Sequence, residues 1–207
     1  MSRGDAKLQR SWFARAVLLP GAMHIDPGTG LLTEFLYVHS PNADERPPGV
    51  YPELIVVHGI SLPPGEFGGP WIDQLFTNRL DALAHPYFAA MSELKVSAHA
   101  LIRRGGEVVQ YVPFQRRAWH AGESSYRGRE HCNDFSIGIE LEGTDDFDYA
   151  ADQYHTLAAM IRALVRTYPS LSRQHIVGHV DVAPGRKTDP GPVFDWRRLH
   201  GLLGGEK

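Results

Sequence analysis

The chain has 207 residues and a formal net charge of -3, with 43% hydrophobic and 22% charged residues, the balance of a soluble globular domain long enough to bury a core without disulfide staples. The slight acidic excess argues against a binder of the nucleic-acid backbone, which would present a basic face. Its single cysteine, Cys132, cannot form an internal bridge, which fits a reducing compartment.

At the N-terminus, Arg3, Lys7, Arg10 and Arg15 precede an apolar run over residues 16–23, the outline of an export signal. Pro20 and Gly21 interrupt that run, and no convincing small-x-small cleavage site follows before His24. Residues 1–29 therefore read as an extension on a cytoplasmic protein, with an inefficient export signal as the alternative, and residues 30–207 as one domain. No stretch approaches the roughly 18 uninterrupted apolar residues of a membrane helix.

Residues 31–38 are weakly patterned, and Ser40-Pro41-Asn42 and Arg46-Pro47-Pro48-Gly49 mark a turn-rich connection. Leu54-Ile55-Val56-Val57 is a continuous β-prone run, expected to be a central strand covered on both faces and ending at His58-Gly59. The following SLPPGEFGGPW is too rich in Pro and Gly to be anything but a loop. Runs over 96–103 and 107–114, split by Arg104-Gly105-Gly106, read as a hairpin. Residues 115–134 form a long polar loop, of the sort that is functional or mobile. Phe135, Ile137, Ile139 and Leu141 then alternate with Ser136, Gly138, Glu140 and Glu142, a period-two strand whose second face carries Glu140. Tyr154, Leu157, Ala158, Ile161, Leu164, Val165 and Tyr168 fall at helical spacing until Pro169 stops the helix. A short strand over 175–180, the loop APGRKTDPGP and a closing helix over 194–203 complete the chain. Strands mixed with two or three helices make an α/β or α+β single domain.

Eleven histidines are the one unusual count, and histidine is the commonest metal ligand. His58 stands at the carboxyl end of an expected central strand, where ligands gather in sheets with helical cover. His179 stands likewise after Ile176-Val177, and Asp189 follows in the loop with Lys187 two positions before it, on the same side of an extended stretch. Two histidines and a carboxylate form a hydrolytic zinc set with a fourth position open. Spacing alone leaves other readings standing. Either histidine can be structural, Asp189 before Pro190-Gly191 can be a turn former, and Glu140 can be a solvated strand residue. Trp119-His120-Ala121-Gly122 looks like a binding feature, although Trp119 can simply plug the core. Nothing argues that Cys132 is a nucleophile.

The segments LIVVHGISLPPGEFGGPWIDQLF, HPYF, VSAHALIRRGGEVVQYVPF, RAWHAGESSYRGRE, CNDFSIGIELEGTDD and GHVDVAPGRKTDPGPVFDW closely resemble the AmpD-type 1,6-anhydro-N-acetylmuramoyl-L-alanine amidases. These are relatives of the peptidoglycan recognition proteins and phage amidase lysozymes. The motifs occur in order from about Gly30 to the final helix. The resemblance implies their fold, a central mixed β-sheet flanked by helices. It also implies one Zn2+ held by His58, His179 and Asp189, with Glu140 as general base and Lys187 beside the metal. Trp119 and Lys95 are implied near the substrate, a small muropeptide cut between N-acetylmuramic acid and L-alanine during cell-wall recycling. No nucleic acid or membrane partner is expected. Two positions depart from the family's pattern: Gly59 stands where asparagine is usual, and His131 where arginine often occurs. An exported amidase acting on intact wall, or a non-catalytic binding module, would be the competing readings. The first needs a working signal, and the second typically lacks the third ligand that Asp189 supplies.

Overall fold

The protein is described here by a computed structural model covering residues 23–204. The segment 1–22, on which the export question turns, lies outside the described residues.

Six strands form the central sheet: β1 (Leu36–Tyr37), β2 (Leu54–Ile60), β3 (Ala100–Ile102), β4 (Val108–Gln110), β5 (Ser136–Glu142) and β6 (Ile176–Gly178). Their spatial order is β6-β2-β5-β3-β4-β1. The pairs β6/β2, β2/β5, β5/β3 and β4/β1 run parallel, and only β3/β4 runs antiparallel, so the sheet is mixed. Among the described residues five α-helices accompany it: α1 (Trp71–Phe76), α2 (Phe88–Met91), α3 (Ala151–Thr167), α4 (His179–Val182) and α5 (Trp196–Leu202).

The two long strands explain the layering. Ile55 and Val57 of β2, with Ile137, Ile139 and Leu141 of β5, point to one face and share a core with Leu157, Ile161 and Leu164 of α3 and Leu199 of α5. Burying each such aliphatic side chain contributes about 1.5–3 kcal/mol. Leu54 and Val56 face the other way, against Ala121, Cys132, Phe135 and Val182. His58 and Glu140 have the parity of this second face. Helix α3 starts where the Gln153 side chain accepts the Ala150 N–H at 2.9 Å and ends just before Pro169. Helix α5 opens on Asp195, whose Oδ1 accepts the Arg198 N–H at 2.9 Å, and its start is tied to α3 by the Asp195 N–H bonded to the Tyr154 hydroxyl.

The expected central strand is central, but it runs on through Ile60 and includes His58. The hairpin over β3 and β4 is present with shorter strands, and Gly106 makes its turn at φ +86°, where a side chain would be strained. The expected strand over 175–180 stops at Gly178, and His179 opens α4 instead. The long loop 115–134 is built rather than loose: Arg117–Ala118 pairs with Ala43–Asp44, and Ser125–Tyr126 pairs with Arg129–Glu130. Met23 and Ile25 lie in the α3 core, so the packed unit takes in residues expected to belong to the extension. Among the described residues, no helix is long and apolar enough to cross a membrane.

Candidate functional site

Parallel pairing of β2 with β5 sets His58 directly opposite Glu140. Pairing of β2 with β6 sets Gly178 opposite Val57, so His179 emerges beside His58. Asp189 returns to the same point because its carbonyl accepts the Val180 N–H at 3.0 Å. His58 Nδ1, His179 Nδ1 and Asp189 Oδ2 converge: the two nitrogens are 2.9 Å apart, and they stand 3.2 and 3.1 Å from the carboxylate oxygen. Both histidines are buried and Asp189 is partly so. Burial pulls the His58 pKa down to about 4, against a smaller upward pull from Asp189, so this imidazole is neutral at pH 7 and has a lone pair to offer.

The donor set fits zinc. Ligands about 2.0–2.1 Å from a tetrahedral ion lie roughly 3.3 Å from each other, close to the three separations seen. Two imidazoles and one carboxylate would leave a bound zinc ion a net positive charge and a fourth position open.

Glu140 is 8% exposed, and its Oε2 has no hydrogen-bond partner. An unpartnered buried carboxylate oxygen is costly unless something is meant to bond it. Burial, reinforced by the Asp189 charge, raises the Glu140 pKa well above the carboxylate range, and the nearby Lys187 ammonium opposes this. The reading of Glu140 as solvated therefore fails: the second face of β5 is the floor of a site covered by the 115–134 loop. Lys187 is exposed, yet its charge reaches both Glu140 and His58.

The two expected substrate residues sit differently. Trp119 is half-buried, and its indole N–H donates to Asp44 Oδ1 at 3.2 Å, in a cluster where Arg117 pairs with both Asp44 and Asp134. Lys95 is exposed, two residues before Ser97, whose N–H donates to the Trp119 carbonyl; the structure gives it no contact with the converging ligands. His131 has φ 59° and lines a cavity of about 280 Å³ with Arg117, Gly122, Asn133 and Asp134. At Gly59, an added Cβ would stand 2.3 Å from the Tyr149 hydroxyl, which itself donates to the Pro190 carbonyl beside Asp189 at 3.0 Å. The space a side chain would use at position 59 is thus filled by Tyr149.

Sequence reasoning assigned His120 no role beyond its place in the Trp119–Gly122 motif, yet its ring lies 2.9 Å from His58; Asn133 and Arg46, which hold the covering loop, carried no assignment. Asn133 Oδ1 accepts the N–H groups of His120 and Ala121. The Arg46 guanidinium donates to the carbonyls of Gln115, Asn133, Asp134 and Ser136. His120 had a signal in the Trp119–Gly122 motif; Arg46, between a loop and a Pro-Pro turn, had none.

Residues 48–192 match the family described as N-acetylmuramoyl-L-alanine amidase. The chain is 62% identical over 174 residues to the 1,6-anhydro-N-acetylmuramyl-L-alanine amidase AmpD of Citrobacter freundii, covering 84% of this chain and 92% of that protein. A crystal structure of a selenomethionine AmpD derivative superposes with a TM-score of 0.84 at 60% identity, covering 87% of this chain and 99% of that one. The amidase AmiD of Escherichia coli, solved with the substrate anhydro-N-acetylmuramic acid-L-Ala-D-gamma-Glu-L-Lys, is 27% identical with a TM-score of 0.54, covering 78% of this chain and 62% of that one.

Proposed function

The chain belongs to the N-acetylmuramoyl-L-alanine amidase family, and from that premise we propose that it is a zinc enzyme hydrolysing the amide between 1,6-anhydro-N-acetylmuramic acid and L-alanine in soluble muropeptides, in the cytoplasm, during cell-wall recycling. The observation that carries the zinc reading is the convergence of His58 Nδ1, His179 Nδ1 and Asp189 Oδ2 beside an unpartnered buried Glu140. Support for the substrate comes from the high identity to a protein named for the anhydro-sugar. A 1,6-anhydro ring has its C1 already engaged, so such a sugar ends a glycan chain or stands free, which suits released fragments better than continuous wall.

His58, His179 and Asp189 would hold the ion, which when bound supplies Lewis acidity toward the scissile carbonyl and toward water. Glu140 Oε2 takes the proton of the attacking water and returns it to the departing amine of L-alanine. Burial raises its pKa above the ordinary carboxylate range, the direction that strengthens a carboxylate as a proton acceptor. The Lys187 ammonium meets little charge in the resting amide and more as negative charge gathers on the carbonyl oxygen, so it stabilises the transition state selectively. Sheet, α4 and the 115–134 loop keep bulk water from the buried side of these groups, which strengthens each interaction. Trp119 and Lys95 are assigned to substrate contact on resemblance alone.

The recycling assignment is tested by rates on two substrates at equal concentration of the target bond. Soluble 1,6-anhydro-muropeptide is expected to be turned over far faster than purified intact peptidoglycan. Equal or faster release of peptide from the intact wall would overturn that assignment while leaving the amidase chemistry in place.

A further inference from the structure

We propose that His120 is a positioning residue of this site, and that the His120-Ala121 pair fixes the tautomers of both histidine ligands so that each presents its Nδ1 lone pair to the metal. The proposal rests on the reading of His58 and His179 as ligands.

The proton positions follow from one fixed point. The Ser136 hydroxyl lies 2.5 Å from the Cys132 carbonyl, and a carbonyl can only accept, so Ser136 donates there. Its oxygen must then accept from His120 Nε2, 3.0 Å away. His120 therefore carries its proton on Nε2. The ring is buried beside His58 and His99, with no carboxylate among its hydrogen-bond partners, so it is neutral and its Nδ1 is an acceptor. The atom 2.9 Å from that acceptor is His58 Nε2, which must donate. His58 is left with a bare Nδ1, the atom that faces Asp189 and His179.

The second ligand is set by the next residue. His179 Nε2 lies 3.1 Å from the Ala121 carbonyl, again an acceptor only, so Nε2 carries a proton and Nδ1 is the atom left to serve as the ligand. Asn133 holds the N–H groups of both His120 and Ala121 at 3.1 and 2.8 Å, and Arg186 adds a second donor to the Ala121 carbonyl. Gly138 makes room for the device: a Cβ there would stand 2.4 Å from the His120 ring. A side chain and a backbone carbonyl, adjacent in sequence and pinned by one amide, thus orient two ligands that are 121 residues apart. Groups that fix a ligand histidine's tautomer typically cost about 10–100-fold in metal affinity when removed.

The test uses the full chain, labelled with 15N-histidine and stripped of metal, with zinc alone as the probe. Two-bond 1H–15N correlations should report Nε2–H tautomers for His58, His120 and His179. In His120→Phe, which keeps a ring of similar shape but removes the acceptor, His58 should shift toward the Nδ1–H tautomer bonded to Asp189, and zinc affinity should fall by about 10–100-fold. Should that variant fail to fold, Ser136→Ala removes the fixed point instead, and mixed tautomers at His120 with weaker zinc binding are expected. An unchanged His58 tautomer together with unchanged zinc affinity would overturn the proposal and leave His120 as packing. Failure of the wild type to bind zinc at all would overturn the parent reading of the ligands, a different result from either.

Discussion

In the proposed reaction, Glu140 would concentrate the proton transfer in one buried oxygen. Its carboxyl is raised by burial and by Asp189, touches no donor at Oε2, and stands opposite His58 without joining the group of converging ligand atoms. Glu140→Gln is expected to retain one zinc per chain and to lose about 10²–10⁴-fold in kcat, the usual share of a proton-transfer group. Zinc content by elemental analysis and saturation kinetics on one defined anhydro-muropeptide check both halves; normal turnover would return Glu140 to the status of a strand residue. Apart from the family resemblance, the sequence pattern showed Glu140 only as a polar position on an alternating strand, which describes a solvated face and a site floor equally well. What separates them is the cover from loop 115–134, and that cover depends on Arg46 bonding carbonyls some 70–90 positions away, a relation no local pattern encodes. The contacts of His120 were hidden for a related reason: its partners His58 and Ser136 come from two different strands.

Elements with a strong period were legible, and those without one were not. The apolar spacing of α3 and the alternation of β5 each persist over several turns or residues, and both appear where expected. Helices α1 and α2, of six and four residues, are too short to show a period and were not foreseen. The pairs inside loop 115–134 are two residues long, below what propensity can mark. Helix α3 and the site lie on opposite faces of the sheet, so stability and activity can be separated at the element scale. Leu157 is fully buried in α3, and Leu157→Ala should lower unfolding free energy by about 2–5 kcal/mol through lost burial and a cavity. Urea titration measures this. Activity per folded molecule should hold at temperatures where the variant remains folded; a proportionate loss of kcat with intact stability would mean that α3 shapes the site directly.

At the scale of the whole molecule, three parallel strands end at one place and deliver His58, Glu140 and His179 there, while the 184–191 loop returns Asp189 and Lys187. Resemblance supplied the identity of this set, because residues 58, 140, 179 and 189 are too far apart for spacing to join them; topology supplies the reason they meet. The departure at Gly59 changes meaning at this scale, since Tyr149 fills the vacant volume and braces the Asp189-Pro190 segment. The central claim, a metal-dependent amidase cutting at L-alanine, is tested most directly by mass spectrometry of products from 1,6-anhydro-N-acetylmuramyl-tripeptide. Protein as purified, protein stripped by a chelator and stripped protein resupplied with zinc are compared. The predicted result is free anhydro-N-acetylmuramic acid and a peptide with L-alanine at its N-terminus, with one water added across the bond, lost on stripping and regained with zinc. Cleavage at another bond, or the same cleavage undiminished in the metal-free protein, would contradict the account.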